Sequence, residues 1–180
     1  MGMKRWMERT TRRVRCALAG RPVAPSLIGG GVLLLIATLV RGVCGDPYQS
    51  GIFLLCGDVI PPVWVMTLCW MVWYFVLGGT FVWVMWDGRC DPPTMVKRDR
   101  GGMAYLAMLM LGLFWYPTFF CAGRVLLAAL IVLAVLALCV ITAWVYWRSC
   151  IYRLAGAVLF AHAVFLLWML GVSIVLLFAR

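Results

Sequence analysis

The segment from residue 64 to residue 86 constrains the fold most strongly, because 23 successive residues carry no charge. A run this apolar is long enough to cross the hydrocarbon core of a bilayer, so it predicts a transmembrane helix. The whole chain has the same character, since 66% of its residues are hydrophobic and only 12% are charged. Soluble domains carry roughly 25% charged residues. We therefore expect a chain that folds within a membrane.

Tryptophan is concentrated in this segment, which holds five of the ten in the chain. Trp64 and two further tryptophans lie near its ends, where indoles suit the membrane interface. Trp70, Trp73 and Tyr74 lie inside it, where aromatic faces can pack against a partner helix or a flat ligand.

Five uncharged runs are present in total, and their continuous apolar character predicts helices rather than alternating strands. They cover residues 22–40, 64–86, 101–123, 125–147 and 154–179. Pro117 is expected to kink or end the third helix. Only Arg124 separates the third and fourth runs, so these two helices should form a tight hairpin. The prediction is an all-α integral membrane protein with a five-helix bundle in residues 22–180, preceded by a basic tail in residues 1–21.

The positive charges predict the orientation in the membrane. Of the 16 lysines and arginines, 13 fall in the tail, between the second and third runs, or between the fourth and fifth runs. Only Arg41, Arg124 and Arg180 fall on the opposite side. The positive-inside rule then places the N-terminus in the cytoplasm and the C-terminus outside. We expect a multi-pass protein of a bacterial cell membrane.

The net charge of +10 raises the alternative of nucleic-acid binding. The cations lie next to the apolar runs, where they fix topology and contact anionic lipid headgroups, so we expect membrane lipids and no nucleic acid as partners. The basic tail itself has a pattern that an amphipathic helix on the membrane surface would show.

Residues for catalysis or metal binding are sparse. The eight cysteines form no CxxC pair, which argues against a metal site. A disulfide between Cys44 and Cys56 is an open alternative if their side of the membrane is oxidising. None of the six acidic residues lies inside an apolar run, which argues against an ion-coupled pump. His162 is the one ionisable group at depth, either bonded to a neighbouring helix or in contact with a ligand or its metal.

Two segments carry a family resemblance. The segment PPVWVMTLCWMVWYFVLGG resembles the second helix of the TspO/MBR family, the tryptophan-rich sensory proteins and translocator proteins. Its matching residues are Pro61, Pro62, Trp64, Trp70, Tyr74 and Gly78. The segment LGLFWYPTFFCAGR resembles the third helix of that family. Its matching residues are Trp115, Pro117, Phe119, Phe120 and Arg124.

The chain departs from the family pattern at several polar positions. Met108 and Gly112 stand where the family usually has glutamine and asparagine, and Met66 replaces a phenylalanine. In the fifth helix, Ala161-His162, Phe165 and Ser173 stand where the family usually has Pro-Tyr, tryptophan and asparagine. The resemblance therefore implies a divergent member whose ligand chemistry has shifted.

The resemblance implies a five-helix bundle around a pocket for porphyrins, other flat hydrophobic molecules or sterols, capped by the loop between the first two helices. No cofactor is expected to be obligatory, and porphyrin or haem is expected as a ligand. The expected ligand-binding residues are Trp64, Trp70, Tyr74, Trp115, Phe119, His162 and Phe165. Three classes of function stay open: a sensor or carrier, an unrelated small transporter or channel subunit, and an enzyme that modifies a tetrapyrrole.

Two weaker patterns concern lipids and oligomers. Val140, Tyr146 and Arg148 satisfy a loose motif proposed for sterol contact, which any apolar helix ending in tyrosine and arginine produces. Ala157 and Ala161 form a small-residue face that would seat another helix, either inside the bundle or in a homodimer.

Overall fold

Five helices make up the described part of the chain in the computed structural model, which covers residues 23–44, 62–86, 92–149 and 151–178. The helices are α1 (Val23–Cys44), α2 (Val63–Met85), α3 (Pro92–Tyr116), α4 (Val125–Trp147) and α5 (Arg153–Phe178), and a π-helical turn (Pro117–Cys121) extends α3. All five are long and apolar enough to cross a membrane. The prediction of an all-α, five-helix membrane protein is confirmed.

The third helix begins earlier than the apolar run indicated. It starts at Pro92, so Lys97, Asp99 and Arg100 lie in its first turns and not in a loop. Proline is favoured at the start of a helix because its missing N–H would be unbonded there anyway. Hydropathy marks where the chain enters the apolar region, whereas the helix extends beyond it. Asp99 is accordingly the one described carboxylate within a helix, and it is exposed.

The hairpin between α3 and α4 follows from Pro117 and Gly123. Pro117 has no N–H to donate, and regular α-helical structure ends at Tyr116, one residue before it. In the π turn that follows, the amide of Ala122 donates to the carbonyl of Pro117 over 3.0 Å. Gly123 then has a φ of 61°, which favours glycine, and α4 begins two residues later. The predicted tight turn and the predicted effect of Pro117 are both confirmed.

Helices α1 and α2 pack backbone to backbone through glycines. A Cβ on Gly30 would lie 2.6 Å from the carbonyl oxygen of Phe75, and one on Gly78 would lie 2.7 Å from that of Gly29. A side chain at either position would therefore overlap the neighbouring main chain. The small residues hold the two helices close, as small residues do at membrane helix interfaces.

The remaining contacts close the bundle into a ring. Helix α5 packs along α4, α4 along α3, and α2 contacts both α3 and α5, while α1 lies outside α2 and touches α3. Tyr105 ties α3 to α2, because its buried hydroxyl donates to the carbonyl of Leu77 over 3.0 Å. The thiol of Cys139 donates in the same way to the carbonyl of Leu159 on α5 over 3.1 Å. The centre of the ring is enclosed by α2, α3, α4 and α5.

The small-residue face of α5 points away from the bundle. Ala157 and Ala161 are exposed, so they do not seat any of the five described helices. Tyr146, the tyrosine of the sterol motif, is fully buried and is not available to a lipid on the surface. The basic tail 1–21, the loop from Asp46 to Gly57 and Cys56 lie outside the described residues.

Candidate ligand pocket

A cavity of about 40 Å³ lies at the centre of the bundle, between α2, α3, α4 and α5. Its walls are apolar and largely aromatic. The rings that line it belong to Trp70, Trp73, Tyr74, Trp115, His162 and Phe165. One face of α2 is turned towards this cavity. It carries Trp70, Trp73, Tyr74 and Leu77, whose spacing along the sequence places them on the same side of a helix.

A second cavity, of about 30 Å³, lies between α1, α2 and α3. Its walls include Ala37, Thr38 and Arg41 from α1, together with Met66 and Tyr116. Arg41 is the one charged side chain among the described residues that line either cavity. The second cavity therefore differs from the first by having a cation at its edge.

Three aromatic side chains separate the two cavities. Trp70, Tyr74 and Trp115 line both of them, and we call these three residues the aromatic partition. The ring centroids of Trp70 and Trp115 are 5.2 Å apart, and those of Trp70 and Tyr74 are 4.9 Å apart. Rings at these separations interact favourably with each other, so they form a single wall.

Phe119 packs against the aromatic partition on the side of Trp115 that faces away from both cavities. Its ring stacks on Trp115 with a centroid distance of 5.0 Å and an angle of 21°. It is only 1% exposed, and it lines neither cavity. The structure thus places Phe119 where it fixes the orientation of Trp115. Its role as a ligand contact stays a prediction.

Trp64 lies apart from the other predicted site residues. Its side chain is 67% exposed near the start of α2 and lines neither cavity. The position fits the alternative interpretation from the sequence, a tryptophan at the membrane interface. The structure therefore brings Trp70, Tyr74, Trp115, His162 and Phe165 together around one cavity, but it does not bring Trp64 there.

The side chain of His162 faces the bundle interior and is buried. This agrees with the high free-energy cost of exposing an ionisable side chain to lipid. Its ring centroid lies 4.9 Å from that of Trp73 and 6.0 Å from that of Phe165. The Nδ1 atom is buried and has no hydrogen-bond partner within the described part of the chain. A buried imidazole nitrogen of this kind is the sort of polar atom that a bound molecule can satisfy.

Other buried polar atoms around the cavities share this condition. The Nε1 atoms of Trp70 and Trp115 and the hydroxyl of Tyr116 donate no hydrogen bond to any described residue. An indole N–H only donates, so a molecule that satisfies these tryptophans must carry acceptors. The pocket thus combines large aromatic faces with a few donors.

The departures from the family pattern meet at these cavities. Met108, Gly112, His162 and Phe165 all line the first cavity, and Met66 lines the second. Ser173 does not take part, because its hydroxyl donates to the carbonyl of Met169 on its own helix over 2.9 Å. The residues that distinguish this chain therefore change the wall of the pocket.

Metal coordination by the protein alone has no basis in the described residues. Nowhere among them do three or more histidine, cysteine, aspartate or glutamate side chains come together.

The fold and the cavities define a class of protein: a five-helix membrane protein with an aromatic pocket inside the bundle. The family model described as TspO/MBR family matches residues 32–178, which is most of the chain. The protein belongs to the TspO/MBR family. No curated protein matches the chain. No solved structure matches it either.

Sequence reasoning missed three residues of the pocket. Trp73 was noted as an interior aromatic residue but was not included among the predicted ligand contacts, although it lies three residues after Trp70 on the same helical face. In the sequence, Arg41 contributes only to the charge distribution that predicts the topology, and Tyr116 is not among the predicted ligand contacts. Helical spacing from Trp70 would have found Trp73. No pattern in the sequence alone brings Arg41 of α1 and Tyr116 of α3 to one cavity.

Proposed function

We propose that the protein is a membrane sensor or carrier that binds a flat hydrophobic ligand of the tetrapyrrole class in its aromatic pocket. The observation that carries this proposal is the aromatic partition, in which Trp70, Tyr74 and Trp115 each face two internal cavities. Membership of the TspO/MBR family supports it as well.

The shape of the pocket suits a flat molecule. Rings that stack in the protein can stack equally on the faces of an aromatic ligand, since the same offset arrangement is favourable for both. The unpartnered N–H donors of Trp70 and Trp115 and the unpartnered Nδ1 atom of His162 then offer hydrogen bonds to its edge. Few polar groups and large apolar walls are typical of sites for hydrophobic small molecules.

The size of the cavities sets the mechanism of binding. Pockets for drug-sized ligands measure about 300–1,000 Å³, whereas the two cavities measure about 40 and 30 Å³. A tetrapyrrole therefore fits between these aromatic rings only if the partition opens and the two cavities merge. The rings of Trp70 and Trp115 exchange their mutual contact for contact with the ligand, which keeps the free-energy cost of opening low.

Titration of protoporphyrin into the purified protein tests the proposal, with tryptophan quenching and the Soret band as readouts. Trp70→Ala and Trp115→Ala should each weaken binding roughly tenfold, because stacking contributes about 0.5–1.5 kcal/mol beyond the area buried. Trp64→Ala is the matched control, since it removes an indole from the same helix outside both cavities.

The outcomes separate the classes of function. Saturable one-to-one binding that depends on Trp70 and Trp115 supports a sensor or carrier. Equal affinity in all three variants would leave the two tryptophans as packing residues and would contradict the proposal. Loss of the bound porphyrin that depends on light or oxygen would favour an enzyme instead.

We also propose that the N-terminus faces the cytoplasm. The support is the charge distribution, with 13 of 16 cations on one side of the predicted spans. Arg41, in the last turn of α1, then lies at the outer end of the bundle.

A further inference from the structure

The second cavity has a polar end that the stacking of aromatic rings does not explain. Arg41 lines this cavity from the last turn of α1, and Tyr116 lines it from α3. Tyr116 is 7% exposed, and its hydroxyl donates no hydrogen bond to any described residue. The guanidinium of Arg41 is close enough to that hydroxyl to interact with it electrostatically and as a hydrogen-bond donor. A cation and a hydroxyl whose own hydrogen is unused thus border the same small space.

The described walls of this cavity supply no negative charge to match the cation. Thr38 and Thr67 are the only other hydroxyl-bearing side chains besides the tyrosines, and the rest of the lining is apolar or aromatic. The hydroxyl of Thr38 already donates to the carbonyl of Leu34 over 2.8 Å. Arg41 is half-buried, and a partly buried guanidinium is stabilised by an acceptor with matching geometry.

We propose that Arg41 and Tyr116 form a subsite for the carboxylate of an otherwise flat apolar ligand. The inference rests on the proposed function and narrows the class of ligand, from tetrapyrroles in general to those that carry an acidic side chain. The guanidinium donates two N–H groups in a fixed fork, which fits the two oxygens of a carboxylate. The hydroxyl of Tyr116 donates a further hydrogen bond to the same group.

The subsite is placed so that one ligand can reach both parts of the pocket. Trp70 and Trp115 border the same cavity as Arg41 and Tyr116. A ring stacked on the partition therefore directs a short acidic side chain along this cavity towards the guanidinium. The apolar part of the ligand contributes affinity through its area, and the carboxylate fixes its orientation.

Protoporphyrin and its dimethyl ester are the probes that test this subsite, because they share one ring system and differ in charge. The wild-type protein should bind the diacid about 10- to 100-fold more tightly, since hydrogen bonds to charged groups contribute about 1.5–3 kcal/mol. Arg41→Gln should remove this preference, because it lowers the affinity for the diacid much more than the affinity for the ester. Arg41→Lys should restore part of it, because the charge remains while the fork is lost.

Two further variants separate the subsite from general effects of charge. Tyr116→Phe should weaken binding of the diacid about tenfold or more, because a hydrogen bond from a neutral hydroxyl to a carboxylate is charge-assisted. Arg124→Gln is the matched control, because Arg124 is an exposed cation at the same end of the bundle and lines neither cavity. Its preference for the diacid should equal that of the wild type.

The phosphate of a lipid headgroup could bind the guanidinium of Arg41 in place of the ligand carboxylate. The titration is therefore repeated in a non-ionic detergent and in phospholipid nanodiscs. A preference for the diacid in both media supports the subsite. A preference that disappears in nanodiscs would assign Arg41 to a lipid headgroup and overturn it.

The remaining outcomes distinguish this inference from the proposed function. Equal binding of acid and ester, with no effect of Arg41→Gln, would overturn the subsite while the pocket for flat ligands stands. If neither probe binds, the proposed function fails and the subsite fails with it.

Discussion

Trp70 of α2 and Trp115 of α3 lie with their ring centroids 5.2 Å apart, at an angle of 32°, and together they separate two internal cavities. Each indole is buried at its Nε1 atom without a hydrogen-bond partner among the described residues. This contact between α2 and α3 therefore depends on ring packing and not on hydrogen bonds of the two indoles. It leaves two indole N–H donors for a bound molecule.

His162 should discriminate between a metal-containing and a metal-free ring. A neutral imidazole can offer a nitrogen lone pair to a haem iron, and His162 lines the first cavity. His162→Phe should lower the affinity for haem by about tenfold or more, reduce protoporphyrin binding less, and shift the haem absorbance spectrum. The measurement is parallel titration of both ligands into both proteins.

Equal losses for the two ligands would remove the role in metal coordination and leave a contribution from shape or hydrogen bonding. Unchanged affinity for both would make His162 a packing residue next to Trp73 and Phe165.

The contact between α1 and α2 should be sensitive to a single methyl group at one glycine and not at its neighbour. Gly30→Ala forces a Cβ against the carbonyl of Phe75, and overpacking of this kind costs about 1–3 kcal/mol. Gly31→Ala meets nothing within 4 Å and should leave stability unchanged or raise it, because alanine favours helices by up to about 1 kcal/mol. Thermal unfolding in detergent, followed by tryptophan fluorescence, compares the two. A lower unfolding temperature for Gly31→Ala than for Gly30→Ala would contradict the close approach.

Cys44 should form a disulfide with Cys121 when the protein is oxidised. The Sγ atom of Cys121 lies 3.3 Å from the carbonyl oxygen of Cys44, and the two thiols are close enough to interact electrostatically. A disulfide oxidant such as dithiodipyridine takes up the two electrons and two protons that the pair of thiols releases. Peptide mapping under non-reducing conditions should then show Cys44 linked to Cys121.

Cys121→Ser should abolish that linked peptide, whereas Cys139→Ser serves as the control, because Cys139 is fully buried and bonded to α5. Absence of the linked peptide from the oxidised wild-type protein would contradict the close approach of Cys121 to Cys44.

Labelling of single cysteines should establish the orientation. In a background without native cysteines, a membrane-impermeant thiol reagent should reach positions between Asp46 and Gly57 in intact cells, and it should reach Lys97 to Arg100 only after permeabilisation. The charge distribution motivates this expectation. Labelling of the Lys97 region in intact cells would reverse the orientation.

The sequence allowed the architecture to be predicted because two strong physical signals agree in it. In lipid, the uncharged runs must satisfy their backbone N–H and C=O groups within helices. Pro117 lacks an N–H and ends regular α-helical structure, and Gly123 adopts the positive φ of the turn that follows. The start of α3 could not be predicted in the same way. Lys97 and Arg100 mark the edge of the apolar run but do not interrupt the helix, since charged residues at a helix end can reach water.

The pocket was harder to predict because every face of a membrane helix is apolar. In a soluble helix the polar face shows which residues point inward, but here lipid and core attract the same side chains. Trp64 and Trp70 belong to one motif, yet one is exposed and the other lines both cavities. The pairing of Arg41 with Tyr116 depends on where α1 sits against α3, which no local pattern encodes.

The way in which α1 joins the bundle has a consequence for how freely its sequence can vary. Gly30 and Leu33 are its only buried residues among those described, and a Cβ at Gly30 would overlap the main chain of α2. Residues such as Leu35 and Leu39 face lipid and are exposed, so exchange among valine, leucine, isoleucine and phenylalanine at these positions leaves the fold intact. Saturation mutagenesis of α1 should consequently show that its exposed positions accept most apolar residues but not charged ones, and that Gly29 and Gly30 do not accept larger side chains.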